Sequence, residues 1–279
     1  NKVKAAIAPI ENAKPYSKGE VVLFSYDGIG IGVEIQVYKK DGVEYPVYCL
    51  NKGKRGVEVG FEYTVDVNQM LSNQKIWRAI INGYPYKTPA ELGVENKYDA
   101  FVATKQAVYS ILYGFDPATR YRGGDERGTK IANAVVNIVN TGRYGNQTPS
   151  DGTITMRTSG SLYEEENYWV QKFNVSSSVD MASYTVTSTA NLPDGSIITN
   201  GNGTQTNSFT GSKSLYLKIP KSSMNKDISN AIINVQGKCK TYPVFYGKTR
   251  INATQNYAVT YDPFGDGVGR ATLNVKTNT

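Results

Sequence analysis

The sequence contains no histidine among its 279 residues. Histidine is the usual general base of Ser-His-Asp and Cys-His catalytic sites and a common ligand of zinc. Its absence therefore excludes both kinds of catalytic site and the usual zinc centres. No other set of a nucleophile and a general base is visible, so we expect neither a turnover enzyme nor a bound cofactor or metal.

Cysteine is almost as scarce, because the chain has only Cys49 and Cys239. Two cysteines are too few for a disulfide-stapled scaffold, and neither has a second cysteine nearby to share a metal. A lone cysteine among apolar neighbours is most often a small buried side chain, and this interpretation stays open for both. A Cys49–Cys239 disulfide is another alternative, and it would leave neither thiol able to react.

Long apolar runs are also missing, since none approaches the roughly 20 residues of a membrane span. No signal peptide or sorting motif is recognisable in these residues. We therefore expect no membrane insertion of this fragment. Apolar residues make up 39% of the chain, which allows sizeable cores, and the length suits two ordinary domains or one large one.

Charge is unbalanced but scattered, with 31 basic against 24 acidic residues and a net charge of +7. The densest basic patch, residues 51–55, is typical of a solvated loop. No basic groove is interleaved with aromatic residues, so nucleic acid is not an expected partner. The 21 tyrosines and 27 glycines suit twisted sheets and extracellular binding surfaces.

Apolar periodicity divides the chain into regions. Residues 20–66 alternate apolar and polar positions, as strands do, whereas residues 67–145 follow helical spacing. The stretch 146–161 is polar and rich in helix and strand breakers, and only short strand patterns follow Tyr163.

These regions predict an α+β protein with two domains. The first, 1–157, is a β-sandwich or barrel-like sheet with a helical insertion at about 67–145. The second, 158–279, is a mainly antiparallel β-sandwich of about seven strands. In the alternative, the N-terminal strands pair with the later ones in one larger unit.

The predicted helix Lys97–Tyr113 carries an unusual glutamine. Val102, Tyr109 and Tyr113 flank Gln106 at helical offsets, so its side chain faces protein more than water. An unpartnered carboxamide there costs about 2–7 kcal/mol, so Gln106 needs a partner. In the simplest interpretation, this carboxamide hydrogen-bonds to a neighbouring strand.

A more specific partner for Gln106 is indicated by a resemblance to a known family. The triplet Tyr48-Cys49-Leu50, at a strand end, and the helical ATKQAVY at 103–109 resemble two motifs of the thioester domains of Gram-positive surface adhesins, especially clostridial ones. In that family a Cys and a Gln side chain condense, losing ammonia, into an internal thioester. Lys105 stands where the helical motif usually has glutamine. Gln106 follows it, and we take Gln106 as the acyl donor to Cys49.

The resemblance implies a surface adhesin that reacts once with a lysine amine of a host extracellular or cell-surface protein and forms an isopeptide. Tyr48, Tyr109 and Tyr113 would surround the bond, exclude water and contact the incoming amine. The full-length protein would be anchored to the cell wall, and we expect a monomer.

Other interpretations stay open. Cys49 could be a core residue of a noncovalent module that binds host protein or glycan, or the chain could be a structural stalk. By position in their strands, Lys172 and Asn274 are candidates for an intramolecular isopeptide in the second domain.

Overall fold

The computed structural model describes residues 6–9, 23–33, 35–51, 53–57 and 63–277. Lys52 of the basic patch lies outside the described residues, as do parts of the predicted strands at 21–22 and 58–62. None of the helices in the described part is long and apolar enough to cross a membrane.

Strands dominate the chain at both ends and helices occupy its centre. The strands are β1 (Ala6–Pro9), β2 (Leu23–Ser25), β3 (Gln36–Lys40), β4 (Val43–Cys49), β5 (Tyr63–Met70), β6 (Tyr121–Gly123), β7 (Ile154–Glu165), β8 (Tyr168–Ser177), β9 (Met181–Ala190), β10 (Ile197–Thr199), β11 (Ser208–Thr210), β12 (Leu215–Pro220), β13 (Ile228–Cys239), β14 (Phe245–Thr249), β15 (Tyr257–Val259) and β16 (Gly265–Val275). The α-helices are α1 (Gln74–Ile81), α2 (Pro89–Leu92), α3 (Lys97–Tyr113), α4 (Pro117–Arg120) and α5 (Glu126–Tyr144).

The central helix α3 has the bounds that its sequence pattern predicts. Asn96 caps its start, because the Asn96 side chain accepts a hydrogen bond from the backbone N–H of Asp99. Gly114 ends it at a φ of 70°, a left-handed conformation that glycine adopts without strain. Helices α1 and α5 pack against α3 and share its apolar core.

A closed antiparallel barrel forms the sheet of the first unit, in the order β1-β3-β4-β15-β14-β5. Strands β3 and β4 form a hairpin whose turn, Asp41-Gly42, has φ angles of 51° and 77°. The sequence predicts this turn from the same dipeptide. The wall beside β4 is completed by β15, which comes from much later in the chain.

The second unit is a sandwich of two four-stranded antiparallel sheets, ordered β10-β12-β8-β7 and β11-β9-β13-β16. Strict alternation of buried and half-buried side chains along β12 shows why these residues form a two-faced strand. The inward faces of both sheets contribute to one apolar core.

The predicted α+β class, with a barrel-like sheet, a helical insertion and a β-sandwich, is confirmed. The observed units differ from the predicted boundaries of 1–157 and 158–279, because the first comprises Asn1–Pro149 and Tyr242–Pro263 and the second Ser150–Thr241 and Phe264–Thr279. Strands β14 and β15 hydrogen-bond to β5 and β4, which returns residues 242–263 to the barrel. Judged only by the alternation of apolar and polar residues, β14 and β15 resemble strands of the sandwich. Two later strands, β14 and β15, thus pair with early ones.

A buried ion pair joins α3 to α5. The Arg127 guanidinium donates to both carboxylate oxygens of Asp99 at 2.8 and 2.9 Å, and the Asp99 side chain is fully buried. Removal of one partner from such a pair leaves an uncompensated buried charge. The Glu95–Lys130 pair, at 3.8 Å, also reaches α5 but is largely exposed.

We expect Asp99→Ala to lower the free energy of unfolding by about 3 kcal/mol, because Arg127 loses its buried partner. Urea denaturation followed by circular dichroism measures this loss. Glu95→Ala is the matched control and should change the free energy far less, since exposed pairs contribute little. Equal effects of the two substitutions would show that the Asp99 pair is not a tie between the helices.

Candidate functional site

Cys49 is the last residue of β4, as the sequence predicts, and it faces the inside of the barrel. It lies opposite Tyr257 of β15, and Val47 lies opposite Val259. These four side chains belong to one buried cluster, in which Cys49 is 5% exposed. The thiol is therefore held on a strand wall and largely shielded from water.

Tyr48 points the other way, because successive strand residues alternate faces. Its ring stacks on Phe101 of α3 with centroids 4.9 Å apart, and its hydroxyl donates to the carbonyl of Tyr84. Tyr48 is fully buried, and burial raises its pKa well above the ordinary value. It fixes β4 against α3 from the side opposite the thiol.

A carboxamide from the neighbouring strand β3 lies beside the thiol. The Cys49 sulfur is 4.0 Å from Oε1 of Gln36 on β3. The Gln36 Nε2 donates to the carbonyl of Val57 at 3.2 Å. A Cβ at Gly56 would lie 2.8 Å from Nε2, so a larger residue there would force this carboxamide to shift.

A second carboxamide ties down the loop that follows Cys49. Gln255, which precedes β15 and is 3% exposed, accepts a hydrogen bond from the backbone N–H of Asn51 at 2.7 Å through Oε1. Its Nε2 donates to the carbonyl of Lys54 at 2.8 Å. An N–H aimed at a carboxamide oxygen is the arrangement that stabilises negative charge during acyl transfer.

Tyr109 of α3 reaches the thiol from the helical side. Its half-buried ring packs on the cluster that contains Cys49. Burial raises the pKa of Tyr109 far above its ordinary value, and the neighbouring Cys49 raises it further. Tyr109 thus keeps its proton and is available as a hydrogen-bond donor to a thiolate.

Gln106 is buried but is turned towards a different partner. Its Oε1 accepts a hydrogen bond from the Tyr121 hydroxyl at 3.0 Å. Among the described residues, no hydrogen bond joins Gln106 to Cys49. The pairing of these two residues in a thioester stays a prediction, and it requires that the Gln106 carboxamide leave Tyr121.

Lys105 lies on the Tyr109 side of α3, with Nζ 5.8 Å from the centre of the Tyr109 ring. Neighbouring residues of a helix are about 100° apart around its axis, so Lys105 and Gln106 face different surroundings. Tyr113, the third predicted tyrosine, is 36% exposed and lies 5.9 Å from Tyr109. It belongs to the outer end of the site.

The other sequence candidates lie elsewhere. Cys239 is a buried free thiol in the sandwich, 3.5 Å from the Ser177 hydroxyl, and Cys49 is also free, so the two form no disulfide. Lys172 lies over the Tyr216 ring in one sheet of the sandwich. Asn274 lies in the other sheet and accepts a hydrogen bond from the backbone of Asn230. Nothing in these contacts brings Lys172 and Asn274 together.

The site therefore combines a shielded thiol, two buried carboxamides on the barrel wall and a protonated phenol. No group of three potential metal-ligating side chains occurs in the part of the chain that the structure describes. A thiol next to a carboxamide is the pair of groups from which an internal thioester forms.

Comparison with known proteins agrees with this chemistry. Residues 46–143 match the sequence profile of the family described as "TED: Thioester domain". The chain contains a thioester domain. The matched residues include both motifs, and the match supports the resemblance to thioester domains of Gram-positive surface proteins. No curated protein matches the chain.

Two solved structures have a similar fold. "The Bacillus anthracis TIE protein" is 18% identical with a TM-score of 0.64, and the match covers 98% of this chain and 49% of that one. "Thioester domain of the Enterococcus faecium TIE86 protein" is 16% identical with a TM-score of 0.62, covering 98% and 96%. The chain thus spans about half the length of the Bacillus anthracis chain, and at these identities the likeness concerns the fold.

Sequence reasoning missed Gln36 and Gln255. Gln36 is a polar residue at an inward position of an alternating strand, which is a detectable signal. Gln255 precedes a short strand that resembles those of the sandwich, so its place beside Cys49 follows only from the barrel pairing.

We expect the Tyr109 ring to control access to Cys49. In methylamine-treated protein, where Cys49 is a thiol in every case, both buried cysteines should react slowly with a disulfide reagent. Tyr109→Ala should make one thiol per chain react quickly, because it opens the cluster on the helical side. Tyr144→Ala, at a side chain that is 80% exposed, is the control. Unchanged protection in Tyr109→Ala would show that other groups shield the thiol.

Proposed function

We propose that this thioester domain forms an internal thioester at Cys49. The Cys49 sulfur attacks the Cδ of a glutamine carboxamide, an S–C bond forms, the C–N bond breaks, and the nitrogen leaves as ammonia. The thiol proton ends on the leaving ammonia. The observation that carries the proposal is the burial of this thiol within 4.0 Å of a carboxamide oxygen.

Three glutamines are candidates for the acyl carbon. Gln106 is the partner expected from the helical motif, but its carboxamide is engaged by Tyr121. Gln36 contacts the Cys49 sulfur, and Gln255 precedes the strand that pairs with Cys49 and accepts a hydrogen bond from the backbone N–H of Asn51. The contacts favour these two over Gln106, because both are bonded to β4 or to the loop that follows it, whereas the Gln106 carboxamide is bonded to Tyr121.

The product is an acyl group that is stable until an amine arrives. A deprotonated lysine amine attacks the thioester carbonyl, an amide bond forms, the C–S bond breaks and Cys49 leaves as a thiolate, which takes up the proton that the amine nitrogen loses. Tyr109, which packs on the cluster that contains Cys49, then donates a hydrogen bond to this thiolate. Because the glutamine then carries the partner permanently, the domain reacts once and is not a turnover enzyme.

This reaction suits a surface adhesin whose partner is an exposed lysine on a host extracellular or cell-surface protein. A covalent link resists pulling forces that separate ordinary complexes. We therefore propose an extracellular location, with the full-length protein anchored to the cell wall. The function that competes with this one is noncovalent binding with Cys49 as a core residue.

Intact mass tests the bond directly. Freshly prepared wild-type protein should be lighter than its sequence mass by one ammonia, and methylamine should restore a thiol at Cys49. Peptide mapping should then find the N-methylated glutamine at Gln36 or Gln255, while a label at Gln106 would support the helical motif instead. Cys49→Ala should abolish the mass loss, and Cys239→Ala should keep it. Wild-type protein with its full mass and no methylamine label would reject the thioester.

Covalent capture has its own test. Incubation with plasma or matrix proteins should give an adduct that survives boiling in SDS, because an isopeptide is not broken by denaturation. Cys49→Ala should give none, and the control Cys239→Ala should give as much as wild type. Complexes that all dissociate in SDS would favour the noncovalent module.

A further inference from the structure

A line of aromatic rings leads from the thiol to the surface of the first unit. Tyr109, which contacts Cys49, lies 5.9 Å from Tyr113, and Tyr113 lies 6.1 Å from Phe115, measured between ring centroids. The Cζ of Arg120 is 3.6 Å from the centre of the Phe115 ring. The rings are therefore contiguous from the buried site to Arg120.

Arg120 extends this line to an exposed turn. Its Cζ is also 5.8 Å from the ring of Tyr26, so one guanidinium bridges Phe115 and Tyr26. Tyr26 is 69% exposed and the nearby Ile29 is 64% exposed. We call Tyr26, Ile29, Tyr113, Phe115 and Arg120 the aromatic ridge.

The turn that carries Tyr26 and Ile29 is held in place. The backbone N–H of Ser25 donates to the carbonyl of Ile29 at 2.9 Å, and Gly28 has a φ of 82° that suits a tight turn. The Ser25 hydroxyl hydrogen-bonds to Asp27 and to the Ile29 carbonyl. Two large apolar side chains are thus displayed to water on a fixed turn, which is typical of a binding surface.

Cations flank the ridge. Arg120 lies within the ridge. Arg122 lies beside the turn, and its Nη2 is 4.0 Å from the point where a Cβ at Gly28 would stand. The nearby carboxylates Asp27 and Asp116 accept hydrogen bonds from the backbone N–H groups of Ile29 and Ala118, and the Ser25 hydroxyl and, more weakly, Arg120 lower the pKa of Asp27. Within the described ranges no salt bridge reaches either arginine. A guanidinium stacked on a ring still presents N–H groups at its edge, and these pair well with carboxylates.

We propose that the aromatic ridge is the docking surface for a protein segment that carries acidic side chains beside the lysine to be captured. The apolar rings contact the segment, Arg120 and Arg122 pair with its carboxylates, and its lysine reaches the acyl group next to Tyr109. Aromatic residues and arginine are the side chains enriched in protein interfaces. The inference deepens the proposed function, because it specifies which lysines that site selects.

The test compares two synthetic peptides with one lysine each, flanked by glutamates in one and by glutamines in the other. Each rate of conjugation is divided by the methylamine rate of the same protein, which removes differences in the chemistry itself. We expect the acidic peptide to react about tenfold faster at low ionic strength, with the preference shrinking as salt is added. In the double variant Arg120→Gln/Arg122→Gln the two peptides should react at the same rate.

Controls and contrary outcomes separate the docking surface from the chemistry. Arg157→Gln, at an exposed arginine of the sandwich, should keep the wild-type preference. Tyr26→Ser/Ile29→Ser should slow both peptides relative to methylamine, and Tyr144→Ser should not. Equal wild-type rates for the two peptides, or a preference that survives loss of both arginines, would overturn the docking surface. Failure of methylamine to react would overturn the thioester instead, and salt-sensitive binding of the acidic peptide, lost in the arginine double variant, would then still support the surface.

Discussion

The pairing of β4 with β15 is the contact on which the candidate site depends. Cys49 ends β4, and Tyr257 and Val259 of β15 complete the barrel wall beside it. The thiol is buried because this wall is closed. The same pairing brings Gln255 to the loop that follows Cys49. Without β15, the strand that carries the thiol would be an open edge and the thiol would meet water.

The two faces of β4 have different roles at the site. Tyr48 packs into the helical core and fixes the strand, while Cys49 lies beside the carboxamide of Gln36 in a cluster against which Tyr109 packs. Reactive groups are thus positioned by ordinary packing on one side and hydrogen bonds on the other. Such support is what a shielded thioester requires, because misplacement of about 1 Å can strongly reduce a rate.

Local patterns were enough to predict the central helix, the hairpin turn at Asp41-Gly42 and the strand that ends at Cys49. They rest on periodicity and turn chemistry over a few residues. The partners of the thiol depend on contacts between distant segments, which such patterns do not contain. Gln106 illustrates the limit: its burial follows from the helix, but its choice of Tyr121 follows from the position of β6. A single boundary at 157 misses the return of residues 242–263 to the barrel for the same reason, since β14 and β15 resemble strands of the sandwich.

The sandwich interrupts the barrel, and this arrangement bears on the order of folding. During synthesis the barrel wall beside Cys49 stays open until β15 has emerged, long after β4. Joining such distant strands costs loop-closure entropy, and contacts of this kind form slowly. The two ends of the inserted unit lie close together, however, because a side chain at Gly152 would stand 2.9 Å from Cβ of Cys239. Residues 150–241 therefore act as a short connection that returns β14 and β15 to the barrel, and the wall beside Cys49 closes only after β15 has been synthesised.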